Sequence, residues 1–175
     1  MENDHELIKK FQNGDQSAYN VLVKRHLQNS YQFFLKFTKD SMDAEDLCQD
    51  VFIKLYKSLH KFRFEAAFTS YLYRIQLNTA NSFIRKARWK KYLHLDQISE
   101  SGEYDHELDK NWSRKEIWDN VSTLPKTQRM VIMLRIAQDL PYKDIAGIME
   151  ISEGSAKVNY HHGIKQLKNQ FKKKQ

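Results

Sequence analysis

The chain has 175 residues, a formal net charge of +7 and 41% hydrophobic residues, which supports at least one packed core, argues against general disorder and points to a polyanionic partner. Only five Gly and two Pro argue against a turn-rich β fold, and the single Cys48 rules out an internal disulfide and suits a reducing compartment. No apolar run approaches the ~18 residues of a membrane span, and the polar start Met1-Glu2-Asn3-Asp4-His5-Glu6 is unlike a signal peptide, so the cytoplasm is the expected location.

A short helix is expected over residues 7–13, stopped by a left-handed Gly14, with Asp15 capping a second helix over about 16–39. From 43 to 59, Ala44, Leu47, Cys48, Val51, Phe52, Leu55 and Leu59 recur at helical spacing as one apolar stripe. Cys48 therefore reads as a buried structural thiol. Asp43, Glu45 and Asp46 crowd the first turn and Lys54 and Lys57 the last, matching the helix dipole. Projection at about 100° per residue leaves Asp46, Gln49, Asp50 and Lys57 outside, with Ile53 opposite the stripe. Ile53 is either an ordinary exposed apolar residue or a small anchor for a partner.

A loop follows, His60-Lys61-Phe62-Arg63-Phe64-Glu65, and then a long helix ending near Lys91. Tyr71, Arg74, Asn78, Asn81, Arg85 and Arg88 fall on one face of that helix, and none of them is acidic. Leu72, Ile75, Thr79, Ala80, Phe83 and Ala87 lie on the other side, available for packing. Cations neutralise phosphates and rings offer stacking platforms, so this face, with Phe62 and Phe64 of the loop, is a candidate surface for single-stranded nucleic acid.

Between residues 93 and 109 the composition turns acidic, with Asp96, Glu100, Glu103, Asp105, Glu107 and Asp109 around Ser99, Ser101 and Gly102. This reads as an exposed linker. Beyond it, Trp112, Ile117, Trp118, Val121 and Leu124 suggest a helix stopped by Pro125. Residues 127–139 suggest another, offering Val131, Leu134 and Ile136 to a core. Pro141 suits the first turn of a short helix with Ile145, Ile148 and Met149 facing inward. Glu150-Ile151 makes a turn, and Ser152 caps a final helix whose Ala156, Tyr160, Gly163, Ile164, Leu167 and Phe171 face a core. That is a helix-turn-helix outline, with Ala146 and Gly163 small where helices cross. The outer face presents Ser155, Val158, His161, His162, Lys165 and Asn169, with Lys157 on the flank, suited to a major groove. Lys165, Lys168 and Lys172-Lys173-Lys174 are candidate phosphate contacts. Adjacent His161 and His162 point apart on a helix, so no metal site is expected.

Taken in order, Asn13-Gly14-Asp15 with Ala18-Tyr19, Asp43-Ala44-Glu45-Asp46-Leu47-Cys48-Gln49-Asp50-Val51-Phe52 and Phe68-Thr69-Ser70-Tyr71-Leu72-Tyr73-Arg74-Ile75-Gln76-Leu77-Asn78 carry a resemblance. It continues in Leu124-Pro125, Tyr142-Lys143-Asp144-Ile145-Ala146 and Glu153-Gly154-Ser155-Ala156-Lys157. The chain resembles a sigma factor of the extracytoplasmic-function type, within the sigma-70 family. The resemblance implies an all-α protein of two small helical domains, a region 2-like bundle over 1–91 and a region 4-like helix-turn-helix over 112–175, joined by an acidic flexible linker over 92–111. It implies that Asp46, Gln49, Asp50 and Ile53 dock on the clamp helices of the largest subunit of core RNA polymerase. It implies further that Phe62, Phe64, Tyr71, Arg74, Asn78, Asn81, Arg85 and Arg88 open and read the −10 element as single strand. Ser155, Lys157, Val158, His161, His162 and Lys165 would read the −35 element as duplex, and the linker would thread the channel later taken by RNA. An anti-sigma partner follows from the family alone. Such a protein is nucleoid-associated when bound to polymerase and does no chemistry itself.

Five positions depart from the family pattern. Tyr71 stands where Trp is usual and Glu150 where the turn expects Gly. Val158 and Asn159 replace a common Ser and Arg, and His162 replaces a frequent Arg. No catalytic constellation, phosphate loop, cofactor motif or spaced metal ligand set stands out. Two other classes fit parts of the pattern: a conventional helix-turn-helix regulator acting on duplex DNA without polymerase, and a basic helical RNA-binding or membrane-surface protein. The acidic helix distinguishes the first reading from both.

Overall fold

A computed structural model describes residues 2–38, 40–92 and 114–172, and among these every regular element is helical. The expected acidic linker lies outside the described residues, apart from its first position.

Helix α1 (Asp4–Gln12) opens with a capping box: Asn3 accepts from the Glu6 backbone N–H and Glu6 accepts from that of Asn3, both at 2.9 Å. It ends at Gly14, whose φ of 100° needs a residue without a Cβ. Asp15 then caps α2 (Gln16–Thr38), accepting from the backbone N–H of Ser17 at 2.9 Å and from its hydroxyl at 2.6 Å. The Ser17 hydroxyl is the main reason the Asp15 carboxyl lies below its ordinary pKa. Helix α3 (Ser41–Leu59) starts two residues earlier than its periodicity predicts, because Asp40 accepts from the backbone N–H of both Met42 and Asp43. All seven residues of its apolar stripe are buried.

These helices and α4 (Phe68–Tyr92) enclose a core in which Leu7, Ile8, Phe11, Leu22, Phe33, Phe34, Leu55, Leu59 and Leu77 are fully buried. Each such side chain contributes about 1.5–3 kcal/mol over its exposed state. Tyr19 threads this core to donate to the Phe52 carbonyl at 2.5 Å, and burial pushes its phenol up to about 12. Burial likewise pushes the Cys48 thiol up to about 11, so it is neutral at physiological pH. In α4, Leu72, Thr79 and Ala80 pack as expected, but Ala87 is exposed, while Gln76 and Leu77 are buried. Gln76 donates to the buried Ser30 hydroxyl at 2.8 Å.

The C-terminal half comprises α5 (Arg114–Thr123), α6 (Lys126–Ile132), a π-helical turn over Met133–Ala137, α7 (Tyr142–Met149) and α8 (Glu153–Lys172). The helix expected over 127–139 is thus divided. Val131 and Leu134 are fully buried as expected, whereas Ile136 is 52% exposed. The π turn widens the spiral, and Ala137 takes the inward position instead. Arg129, almost buried, donates to the carbonyls of Ser122 and Leu124 and so ties the α5–α6 corner. Helices α6 and α8 cross at Gly163, where a Cβ would stand 2.6 Å from Ile132 Cδ1.

The two halves pack against one another. Val131, Met133, Leu134, Ala137, Ile145, Ile148 and Ala156 share one apolar cluster with the N-terminal helices. A second, smaller cluster of Val121, Leu124, Ile132 and Leu167 belongs to the C-terminal half alone. Because Ile132 is fully buried and has nowhere to retreat, Gly163→Val should destabilise the C-terminal half by about 1–3 kcal/mol in urea denaturation.

Candidate nucleic-acid and partner interfaces

The acidic face of α3 is open. Asp46, Gln49 and Asp50 are exposed, Ile53 is 52% exposed, and together with Asp43, Leu47 and Phe83 of α4 they line one shallow groove. Lys54 stands at its edge, 3.7 Å from Asp50 and donating to Thr79 Oγ1 at 3.0 Å, so it is partly committed to α4. An apolar floor with carboxylates around it suits a helix carrying apolar and basic side chains. Phe83 entered the sequence reading only as a packing residue. Its place in the groove depends on how α4 lies across α3, which periodicity within one helix does not reveal.

The loop between α3 and α4 differs from expectation at one ring. Phe62 is buried, packed against Phe64 and Tyr71 with ring centroids 5.0 Å away in each case. It is a core residue that anchors the loop, because its ring fills the space above Phe68 and Tyr71. Phe64 is half-buried and has a left-handed backbone, φ 60°. Tyr71 is half-buried under Phe62.

Along α4, Asn78 and Arg85 are exposed, as a binding face requires, while the Arg88 side chain lies outside the described set. Arg74 and Asn81 already have partners in the C-terminal half. Arg74 donates from Nε to the Ile148 carbonyl at 2.6 Å and from Nη2 to that of Gly147 at 3.0 Å, and its Nη1 lies 2.8 Å from Glu150 Oε1. These carbonyls belong to the last turn of α7, where helical acceptors lack intrahelical donors and the dipole favours a cation. Asn81 accepts from Arg129 Nε at 2.8 Å. Nearby, Tyr73 donates to Gln138 Oε1 at 3.2 Å, and Lys36 donates to the Ala137 carbonyl in the π turn.

Glu150 closes α7 in the left-handed conformation, φ 56°, the geometry for which the turn expects Gly. Ser152 accepts from the Ser155 backbone N–H at 3.1 Å and starts α8. On the outer face of α8, Val158 is 52% exposed, and His161, His162 and Lys165 are exposed. Ser155 is half-buried, with its hydroxyl accepting from Asn159. Lys157 pairs with Glu153 at 2.7 Å and lies over the Tyr142 ring. None of Ser155, Lys157, Val158, His161, His162 and Lys165 is acidic, and a helix is of a width that a major groove admits. Among the described residues no group of side chains is arranged to hold a metal ion, and no helix is long and apolar enough to cross a membrane.

Comparison with known proteins identifies the family. A profile described as Sigma-70 region 2 matches residues 22–90, and one described as Sigma-70, region 4 matches residues 114–167. The chain is 32% identical over 181 residues to the ECF RNA polymerase sigma-E factor of Haemophilus influenzae, covering 96% of this chain and 95% of that protein. It is 31% identical over 169 residues to the RNA polymerase sigma-H factor of Pseudomonas aeruginosa, covering 89% and 87%. Its fold is similar to CnrH, solved with the cytosolic domain of CnrY, at TM-score 0.66 and 20% identity over 98% of this chain and 99% of that one. It is also similar to the sigma factor RpoE of Bartonella quintana, solved with the anti-sigma factor NepR, at TM-score 0.58 and 21% identity over 88% and 96%.

Proposed function

This chain belongs to the extracytoplasmic-function group of the sigma-70 family and is an alternative sigma factor, and we propose how its surfaces divide the work of transcription initiation. Residues 1–91 act as the polymerase- and −10-binding domain, 112–175 as the −35-binding domain, and 92–111 as the linker between them.

The single observation that carries the reading is the α3 groove. Ile53 stands exposed in it among Asp46, Gln49 and Asp50, although every residue of the stripe opposite is buried. Ile53 and these polar neighbours make no contribution to the chain's own core, and the groove they rim fits the clamp helices of the largest polymerase subunit. Asn78 and Arg85, with the ring of Phe64, contact the opened −10 strand, Tyr71 supports Phe62 beneath that surface, and Arg88 continues the basic face. The α8 face with Val158, His161, His162 and Lys165 reads the −35 duplex, with Lys157 and Ser155 at its margin. A conventional regulator working without polymerase leaves the α3 groove without a role. Bond making falls to the polymerase; this chain supplies binding energy and specificity. Its site of action is the cytoplasm, at the nucleoid when bound to polymerase, and an anti-sigma protein is the inhibitory partner its family implies.

Arg74 and Asn81 bear on the order of events. Both are engaged by the C-terminal half, so Arg74 must exchange three oxygens of the α7 end for DNA before it reads the −10 strand. Separation of the two halves therefore accompanies promoter binding.

Three outcomes test these points. Adding the pure chain to bacterial core polymerase should give promoter-dependent RNA from the DNA upstream of its own gene; no stimulation on any native promoter and no stable core complex would contradict the assignment. The double change Asp46→Lys, Asp50→Lys should weaken core binding at least about tenfold in a fluorescence titration, with the circular dichroism spectrum and melting curve unchanged. Glu150→Lys, which sets a like charge against Arg74, should expand the free chain in small-angle scattering and raise its affinity for single-stranded −10 DNA at least about threefold. Asp144→Lys, which makes the same charge change on the same helix, should do neither.

A further inference from the structure

Phe64 is held in a conformation that an L side chain rarely adopts, and it is held there from outside its own loop. Its backbone has φ 60°. The His5 ring meets the Phe64 ring edge-on, with centroids 5.3 Å apart and an interplanar angle of 75°, and also meets Phe62 at 6.2 Å. Lys9 Nζ lies over the Phe64 ring, 5.6 Å from its centroid. One turn further along α1, Gln12 Nε2 donates to the carbonyls of Leu59 and Phe62 at 2.9 and 3.0 Å, fixing the point where the chain leaves α3. His5, Lys9 and Gln12 are spaced four and three apart, so α1 presents all three to the loop along one face. The helix is itself anchored: Asp4 pairs with Arg25 and lies 2.9 Å from His26 Nε2 of α2, and the capping box fixes its start.

The region 2 match begins at residue 22, beyond α1. That profile therefore assigns α1 no role. The geometry does. A strained, half-buried aromatic residue on a strand-reading loop is worth holding only if its ring must be presented in one orientation. Phe62 cannot serve as the platform, being buried beneath it.

We propose that α1 is a positioning element for promoter opening: through His5, Lys9 and Gln12 it holds Phe64 as the ring on which an unpaired base of the −10 strand stacks. Lys9 steadies the ring by a cation–π contact, and its exposed charge stands beside the ring to meet the strand's phosphates. The proposal rests on the reading of this chain as a sigma factor.

A mutant cycle on the complete chain bound to core polymerase tests it, with open-complex formation on a native promoter followed by permanganate reactivity of unpaired thymines. Phe64→Gly keeps the left-handed backbone accessible and removes only the ring; it should reduce opening at least about fivefold. His5→Ala with Lys9→Ala should give a comparable reduction, and combining all three changes should give no further loss, because α1 acts through the ring. Lys9→Arg, which retains a cation over the ring, should restore most of the opening to Lys9→Ala. Core affinity and the melting temperature should stay at wild-type values throughout. Additive losses would mean that His5 and Lys9 touch DNA on their own account, and undiminished opening in the α1 variants would mean that they position nothing; either overturns the proposal, as does a loss that follows melting temperature. A wild-type chain that opens no promoter with core polymerase would overturn the sigma reading, and this proposal with it.

Discussion

The contact between Arg74 and the end of α7 ties the two halves of the molecule together through three oxygen acceptors. A guanidinium offers several donors in a rigid fork, and the last turn of a helix offers acceptors with no internal partner. Here the fork meets two carbonyls and a carboxylate at once. Its consequence is geometric: the turn of the helix-turn-helix is pinned to the second turn of α4, the helix that bears the proposed −10 face. Asn81, Tyr73 and Lys36 extend the same seam toward α6 and the π turn. Behind it the apolar cores of the two halves run together.

That seam sets the two proposed DNA surfaces in different states. The α8 face remains free, with Val158, His161, His162 and Lys165 exposed. The α4 face is divided: Asn78 and Arg85 are free, while Arg74 and Asn81 are already satisfied from within. The groove proposed for polymerase lies outside the seam, and its lining comes from α3 and α4 alone. On the proposed division of surfaces, the free chain is ready to meet its protein partner before it is ready to meet single-stranded DNA.

Two residues with left-handed backbones stand beside these surfaces, and neither is glycine. Phe64 and Glu150 each carry a cost of about 1–3 kcal/mol against a relaxed conformation. In both, the side chain has contacts that glycine would lack: Phe64 with His5, Phe62 and Lys9, and Glu150 with Arg74. The π turn is a third local irregularity. Its Ala137 carbonyl accepts from Lys36 and its last residue precedes Gln138, the acceptor for Tyr73.

The helices themselves were legible from the residues. Every position of the α3 stripe is buried, Gly14 and Asp15 act as stop and cap, and Ser152 starts α8, because these features depend on side chains within one turn of each other. Ile53 and the acidic face were legible for the same reason: periodicity alone puts them opposite the core. What the sequence did not reveal involves pairs far apart along the chain. Phe62 looked like a loop ring and is a core ring, since its burial depends on α4 folding back beneath it. Ile136 fits an apolar pattern that a π turn carries out of register. Phe83 belongs to the groove only once α4 crosses α3. The engagement of Arg74 by Gly147, Ile148 and Glu150 spans more than seventy positions. Local spacing decides which face of a helix is polar, so the sequence determined the surfaces; only the packing of one helix on another decides which polar groups on those faces are already occupied.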